Sequence, residues 1–315
     1  MARPLRIEYP GAFYHVTARG NEQKDIFKSL KDREKFLSYL EAATKRYAAV
    51  IHVYCLMSNH YHLLVETPQG NLSQIMKHIN SSYTTYFNVK RKRAGHLLQG
   101  RYKAILVDAD EYAMELSRYI HLNPVRVGVA ETPENYPWMS YRFYAGDATA
   151  PDWLKTDFIL GYFGAKESVA RKNYREYVNE LIGHEYSSPL KETVASTILG
   201  SAEFVSEIQE QHLSSKKVDR ELPALRELTV RPSLDQIVLA AREAFPEGGT
   251  KATKAAIYLC HHYSGAKLME IGKLFKLSES GVTQASKRFG QVIEKDKKLK
   301  EMLRRIGEGL NLSNV

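Results

Sequence analysis

The stretch MSNHYHLLVE, residues 57–66, sets two imidazoles two positions apart with a phenol between them. On a strand, side chains at i and i+2 share a face. His60 and His62 then stand side by side, and Tyr61 turns away with Leu63 and Val65. Such a pair is core, surface, or half of a metal site, since neutral imidazole is a good ligand. The stretch SRYIHLNP, residues 117–124, offers two more groups. Tyr119 and Asn123 are four apart, which puts two side chains on one helix face, although Pro124 draws Asn123 toward the helix end. A His/His/Asn donor set suits Mg²⁺ or Mn²⁺ better than Zn²⁺. A tyrosine beside it has the chemistry of a nucleophile for a metal-polarised phosphodiester. The chain holds 20 tyrosines, and Tyr61, Tyr83 and Tyr86 compete with Tyr119 on composition alone.

The elements that must position these groups follow from periodicity. GAFYHVTARGN (11–21), AVIHVYCLM (49–57), HYHLLVET (60–67) and RYKAILVD (101–108) read as four strands. Residues 31–47 and 71–92 carry apolar side chains at helical spacing, with Leu72, Ile75, Met76, Ile79, Tyr83 and Phe87 in the second. We expect Asp110 to cap a third helix, which Asn123-Pro124 stops. The order β-α-β-β-α-β-α predicts a mostly antiparallel sheet with helices packed on it. Residues 136–186 read as short helices and turns, and 202–211 as an amphipathic helix before a charged loop. Pro223, Pro232, Pro246 and Gly248-Gly249 mark boundary points.

From about Leu234 the pattern is helical. Leu268, Ile271 and Phe275 face inward on one helix, Ser278 or Ser280 caps the next, and Val282, Ala285 and Phe289 pack back. This is the pattern of a helix-turn-helix with its recognition helix over 279–289, which any helical hairpin can imitate. Charge supports nucleic acid: the net charge is +9, with +6 on residues 1–150, −4 on 151–250 and +8 on 251–305. Only Cys55 and Cys260 are present, too few for a disulfide framework or a Cys-based zinc site. No apolar run nears the ~20 residues that span a bilayer, and no signal peptide is visible at the N-terminus. We expect a bacterial-type cytoplasmic protein with no membrane partner.

The pieces GAFYHVTARGN, MSNHYHLLVE, GRYKAILVD and YIHLNPVRVG, in this order within residues 5–145, resemble the single-tyrosine HUH transposases, and among them the REP-associated branch. The resemblance implies an α+β fold with an HUH/ferredoxin-like antiparallel sheet over 1–145. A mixed helical connecting region at 146–233 and an all-α helix-turn-helix domain at 234–315 would follow. It implies that His60 and His62 bind a divalent Mg²⁺ or Mn²⁺, that Asn123 supplies the third polar ligand, and that Tyr119 is the nucleophile. Tyr61 stands where the family has an aliphatic residue. The implied reaction is metal-dependent cleavage of single-stranded DNA through a 5′-phosphotyrosine, with a free 3′-hydroxyl able to rejoin strands. The implied substrates are hairpins of palindromic repeats, for which Arg19, Asn21, Arg101, Lys103 and Arg126 are candidate phosphate or base contacts.

The stretch AAIYLCHHYSGAKLMEIGKLFKLSESGVTQASKRF resembles the DNA-binding domain of bacterial chromosomal replication initiators. That implies duplex readout by Ser280, Thr283, Gln284, Lys287 and Arg288. A competing reading is a catalytically silent, sequence-specific DNA-binding regulator derived from a transposase. A two-histidine phosphoesterase needs two separate His-x-Thr/Ser motifs and fits less well. A monomer is favoured over a dimer.

Overall fold

The structure is a computed structural model that describes residues 5–213, 224, 228, 232–245, 249–264 and 266–310. Most of the charged loop and the signals at Pro223, Pro246 and Gly248 lie outside these residues. The chain divides into two compact units, one ending at Glu207 and the other beginning at Ile208.

In the first unit, β1 (Ala12–Arg19), β2 (Val50–Leu56), β3 (His60–Thr67) and β4 (Lys103–Val107) alternate with α1 (Leu30–Tyr47) and α2 (Leu72–Lys90). The first four strands lie in the order β2-β3-β1-β4 with every neighbour antiparallel, the ferredoxin-like arrangement expected of βαββαβ. A fifth strand, β5 (Ile198–Leu199), pairs parallel to β4 and was not expected.

The two faces of β1 and β3 explain the packing. Tyr61 faces α1 and α2: its ring lies 4.8 Å from Phe36, and its hydroxyl donates to Asn80 Oδ1 at 2.7 Å. Asp32 of α1 is buried and accepts from Lys90 at 2.8 Å and from Arg91, which ties α1 to the end of α2.

The opposite face carries α3 (Ala109–His121), α4 (Asn123–Arg126), α5 (Tyr141–Ala145), α6 (Asp157–Gly161) and α7 (Glu167–Asn179). Leu64, Val107, Leu116, Ile120, Tyr144 and Tyr174 join one core there. His121 anchors α3 within it, with Nδ1 2.6 Å from Tyr174 Oη and Nε2 2.7 Å from Ser140 Oγ. Residues after 145, read as a connecting region, thus supply α6, α7 and β5 to this unit.

Two boundaries differ from expectation. The N-cap of α3 is Asp108, whose amide is still held by Leu199 O at 2.8 Å, so the helix starts before Asp110. Asp110 instead accepts from Tyr162 Oη at 3.1 Å. Pro124 does not end the helical path. It sits in the first turn of α4, where its missing N–H leaves no bond unmade.

The second unit contains α9 (Leu234–Ala244), α10 (Gly249–Tyr263), α11 (Leu268–Phe275), α12 (Glu279–Lys295) and α13 (Lys297–Gly309), α8 (Ala202–Ile208) being the helix at the junction. Ile237, Leu259, Ile271, Val282, Phe289 and Leu303 share its core. A three-residue turn joins α11 to α12. Lys276 there has φ +55°, Leu277 N–H donates to Gly272 O at 2.8 Å, and Ser278 Oγ accepts from Gly281 N–H at 3.1 Å. No described helix is long and apolar enough to cross a membrane.

Candidate active site

Strand register brings the first groups together. Thr17 lies opposite His62, and Arg19 opposite His60. Lys103 lies on the other side of Thr17. Paired residues share a face, so His62, Thr17 and Lys103 form one row across three strands. The rings of His60 and His62 are 5.0 Å apart. Tyr119, half-buried on α3, comes over this face with its ring 6.1 Å from His62 and 6.2 Å from His15. Because α4 continues the path of α3, Asn123 stays on the same side as Tyr119, close enough to His60 to act on its titration.

Burial dominates the electrostatics. It holds His62 well below the usual imidazole range, with the charges of His15, His60 and Arg126 acting in the same direction. Burial also lowers His15, to about 4. His60 is lowered by burial and by Arg19, partly offset by the neighbouring Asn123 side chain. All three imidazoles are therefore neutral near pH 7. Arg126 is exposed at the end of α4, its guanidinium 4.8 Å from the centre of the Tyr119 ring and 5.3 Å from that of Tyr186.

Among the described residues, no three His, Cys, Asp or Glu side chains converge as a metal-binding group. The donor chemistry of His60, His62 and Asn123 nevertheless fits a hard divalent cation. His60 Nδ1 lies 2.7 Å from Asn59 Oδ1, and His62 Nδ1 lies 3.0 Å from His15 Nε2. Each ring is thus oriented through Nδ1, which leaves Nε2 for a ligand bond.

The remaining candidates are spread more widely. Arg19 is exposed and donates to Gln99 Oε1 at 2.5 Å, while Asn21 N–H donates to Leu97 O at 2.9 Å. Arg101 and Lys103 are exposed. Ser280, Thr283, Gln284, Lys287 and Arg288 are exposed on α12 of the second unit. Sequence reasoning missed His15 and Tyr186. The alternation of β1 puts His15 on the face of Phe13 and Thr17, a usable signal; Tyr186 gave none.

His15, His60, His62, Tyr119 and Asn123 all lie between Tyr9 and Asn123. Residues 9–123 match the family described as transposase, IS200 like. The IS200-like segment is about a third of the chain and takes in His15, His60, His62, Tyr119 and Asn123. Arg126 and Tyr186 lie beyond it. No curated protein matches the chain. A similar solved structure is that of a REP-associated tyrosine transposase bound to a REP hairpin, at 14% identity, covering 50% of this chain and 93% of that one, with a TM-score of 0.42.

Proposed function

We propose that the protein is a metal-dependent single-stranded DNA endonuclease and strand transferase, a transposase that acts on hairpins of palindromic repeats. One observation carries this reading. Within the IS200-like segment, the ring of Tyr119 lies 6.1 Å from that of His62, which itself lies 5.0 Å from that of His60.

Tyr119 Oη is the nucleophile. It attacks the phosphorus, its proton leaves, the bond to the 3′ oxygen breaks, and a 5′-phosphotyrosine forms with a free 3′-hydroxyl. Attack by that hydroxyl reverses the step, so strands rejoin without ATP. His60, His62 and Asn123 would hold Mg²⁺ or Mn²⁺, which supplies positive charge that polarises the phosphodiester. Arg126 adds a fixed cation beside the phenol. Arg19 and Asn21 at the end of β1, and Arg101 and Lys103 at the start of β4, serve as phosphate or base contacts. In the second unit, Ser280, Thr283, Gln284, Lys287 and Arg288 on α12 contact duplex DNA.

The test is a denaturing gel of wild type and Tyr119→Phe incubated with labelled single-stranded hairpins from the host's repeats and Mg²⁺ or Mn²⁺. A covalent adduct that disappears in Tyr119→Phe supports the reading. Tight binding with no adduct from wild type, in either metal, makes the protein a silent DNA-binding regulator instead.

A further inference from the structure

We propose that Tyr186 is a positioning residue for Tyr119, acting through Arg126. The guanidinium of Arg126 lies over both phenol rings, 4.8 Å from the centre of Tyr119 and 5.3 Å from that of Tyr186. Arg126 is exposed on the last residue of a four-residue helix, so nothing in its own element fixes its long side chain. A planar cation that contacts two aromatic rings is restrained by both of them. Tyr186 is thus the wall that keeps Arg126 on Tyr119.

The segment carrying Tyr186 is built to deliver it. After α7 the chain runs back along α3, where Leu181, Ile182 and Leu190 pack on the same core as Leu116 and Ile120. It is pinned there by Tyr112, whose hydroxyl donates to Glu192 Oε2 at 2.8 Å, and it then enters β5. Tyr186 itself is half-buried. Its hydroxyl is buried with no hydrogen-bond partner among the described residues. A phenol that makes no hydrogen bond acts through its ring. Tyr186 therefore works as a flat surface, and phenylalanine should replace it.

This rests on Tyr119 being the nucleophile. The experiment measures the rate of adduct formation and the affinity for the same labelled hairpin in wild type, Tyr119→Phe, Tyr186→Ala and Tyr186→Phe, all as full chains with matched thermal melts. We expect Tyr186→Ala to slow adduct formation by about 10- to 100-fold with little change in hairpin affinity, and Tyr186→Phe to restore the rate. An unchanged rate in Tyr186→Ala overturns the inference while leaving the nuclease reading intact. So does a loss of hairpin affinity as large as the loss of rate, or a Tyr186→Phe as slow as Tyr186→Ala. An adduct that survives Tyr119→Phe overturns the reading beneath it, and the inference with it.

Discussion

His15 Nε2 lies 3.0 Å from His62 Nδ1, with both rings buried. One proton occupies that line. If His62 donates it, His62 Nε2 keeps a lone pair, and His15 carries its own proton on Nδ1, which is buried without a partner among the described residues. If His15 donates it, His62 Nε2 is protonated and cannot be a ligand. His15 is therefore the group that decides whether His62 can hold a metal. We expect His15→Phe to weaken Mn²⁺ binding by about 10- to 100-fold, as read by an electron paramagnetic resonance titration. An affinity equal to that of wild type would remove His15 from the site.

Asp32 ties α1 to α2 and is fully buried. Burial raises its carboxyl, but bonds from Lys90, Arg91 and the Lys28 amide outweigh it and bring the group down to about 2. The folded value lies below the unfolded one, so its contribution is complete above about pH 4 and is lost as pH falls toward 2. Asp32→Ala should lower stability at pH 7 by about 3 kcal/mol and flatten the acid limb. Urea melts at pH 7 and pH 3 check both effects. Equal losses at the two pH values would assign the effect to packing instead.

Gly272 is the residue on which the α11–α12 turn closes. A Cβ built there would sit 2.5 Å from Leu277 O. Alanine gains up to about 1 kcal/mol of helix propensity over glycine, but displacing that carbonyl costs about 1–3 kcal/mol. The clash wins. Gly272→Ala should lower the melting of the second unit in the full chain, and a rise in melting temperature would show that the turn yields.

Lys287 and Arg288 are exposed and neighbouring on α12. If they contact duplex phosphates, replacing either with alanine reduces the slope of log affinity against log salt by about 1. Hairpin adduct formation should stay unchanged in the same variants. Salt slopes identical to wild type would take α12 off the DNA.

Strong local periodicity made much of the first unit legible. Leu72, Ile75, Met76, Ile79, Tyr83 and Phe87 are all buried on α2, as their spacing requires. The same alternation put His60 and His62 on one face. β5 escaped because two residues show no period and its pairing is distant in sequence. The start of α3 was misplaced because the Asp108 amide is committed to β5, a tertiary fact. His15 shared a readable face, but its partner depended on which strand lay beside β1. Tyr186 was hidden among many tyrosines, in a stretch with no helical or strand pattern.

The parallel pairing of β4 with β5 bears on how the chain is made. About 90 residues separate Val107 from Ile198. At roughly 5–20 residues per second, a ribosome releases β4 some 5–20 seconds before the strand that covers it. For that interval the nascent sheet has an open edge of unpaired amides and carbonyls beside an unfinished core. Ala104, Ile105, Leu106 and Val107 make that edge apolar, and Lys103, exposed at the strand's start, is the charge in β4 that opposes pairing with a neighbour.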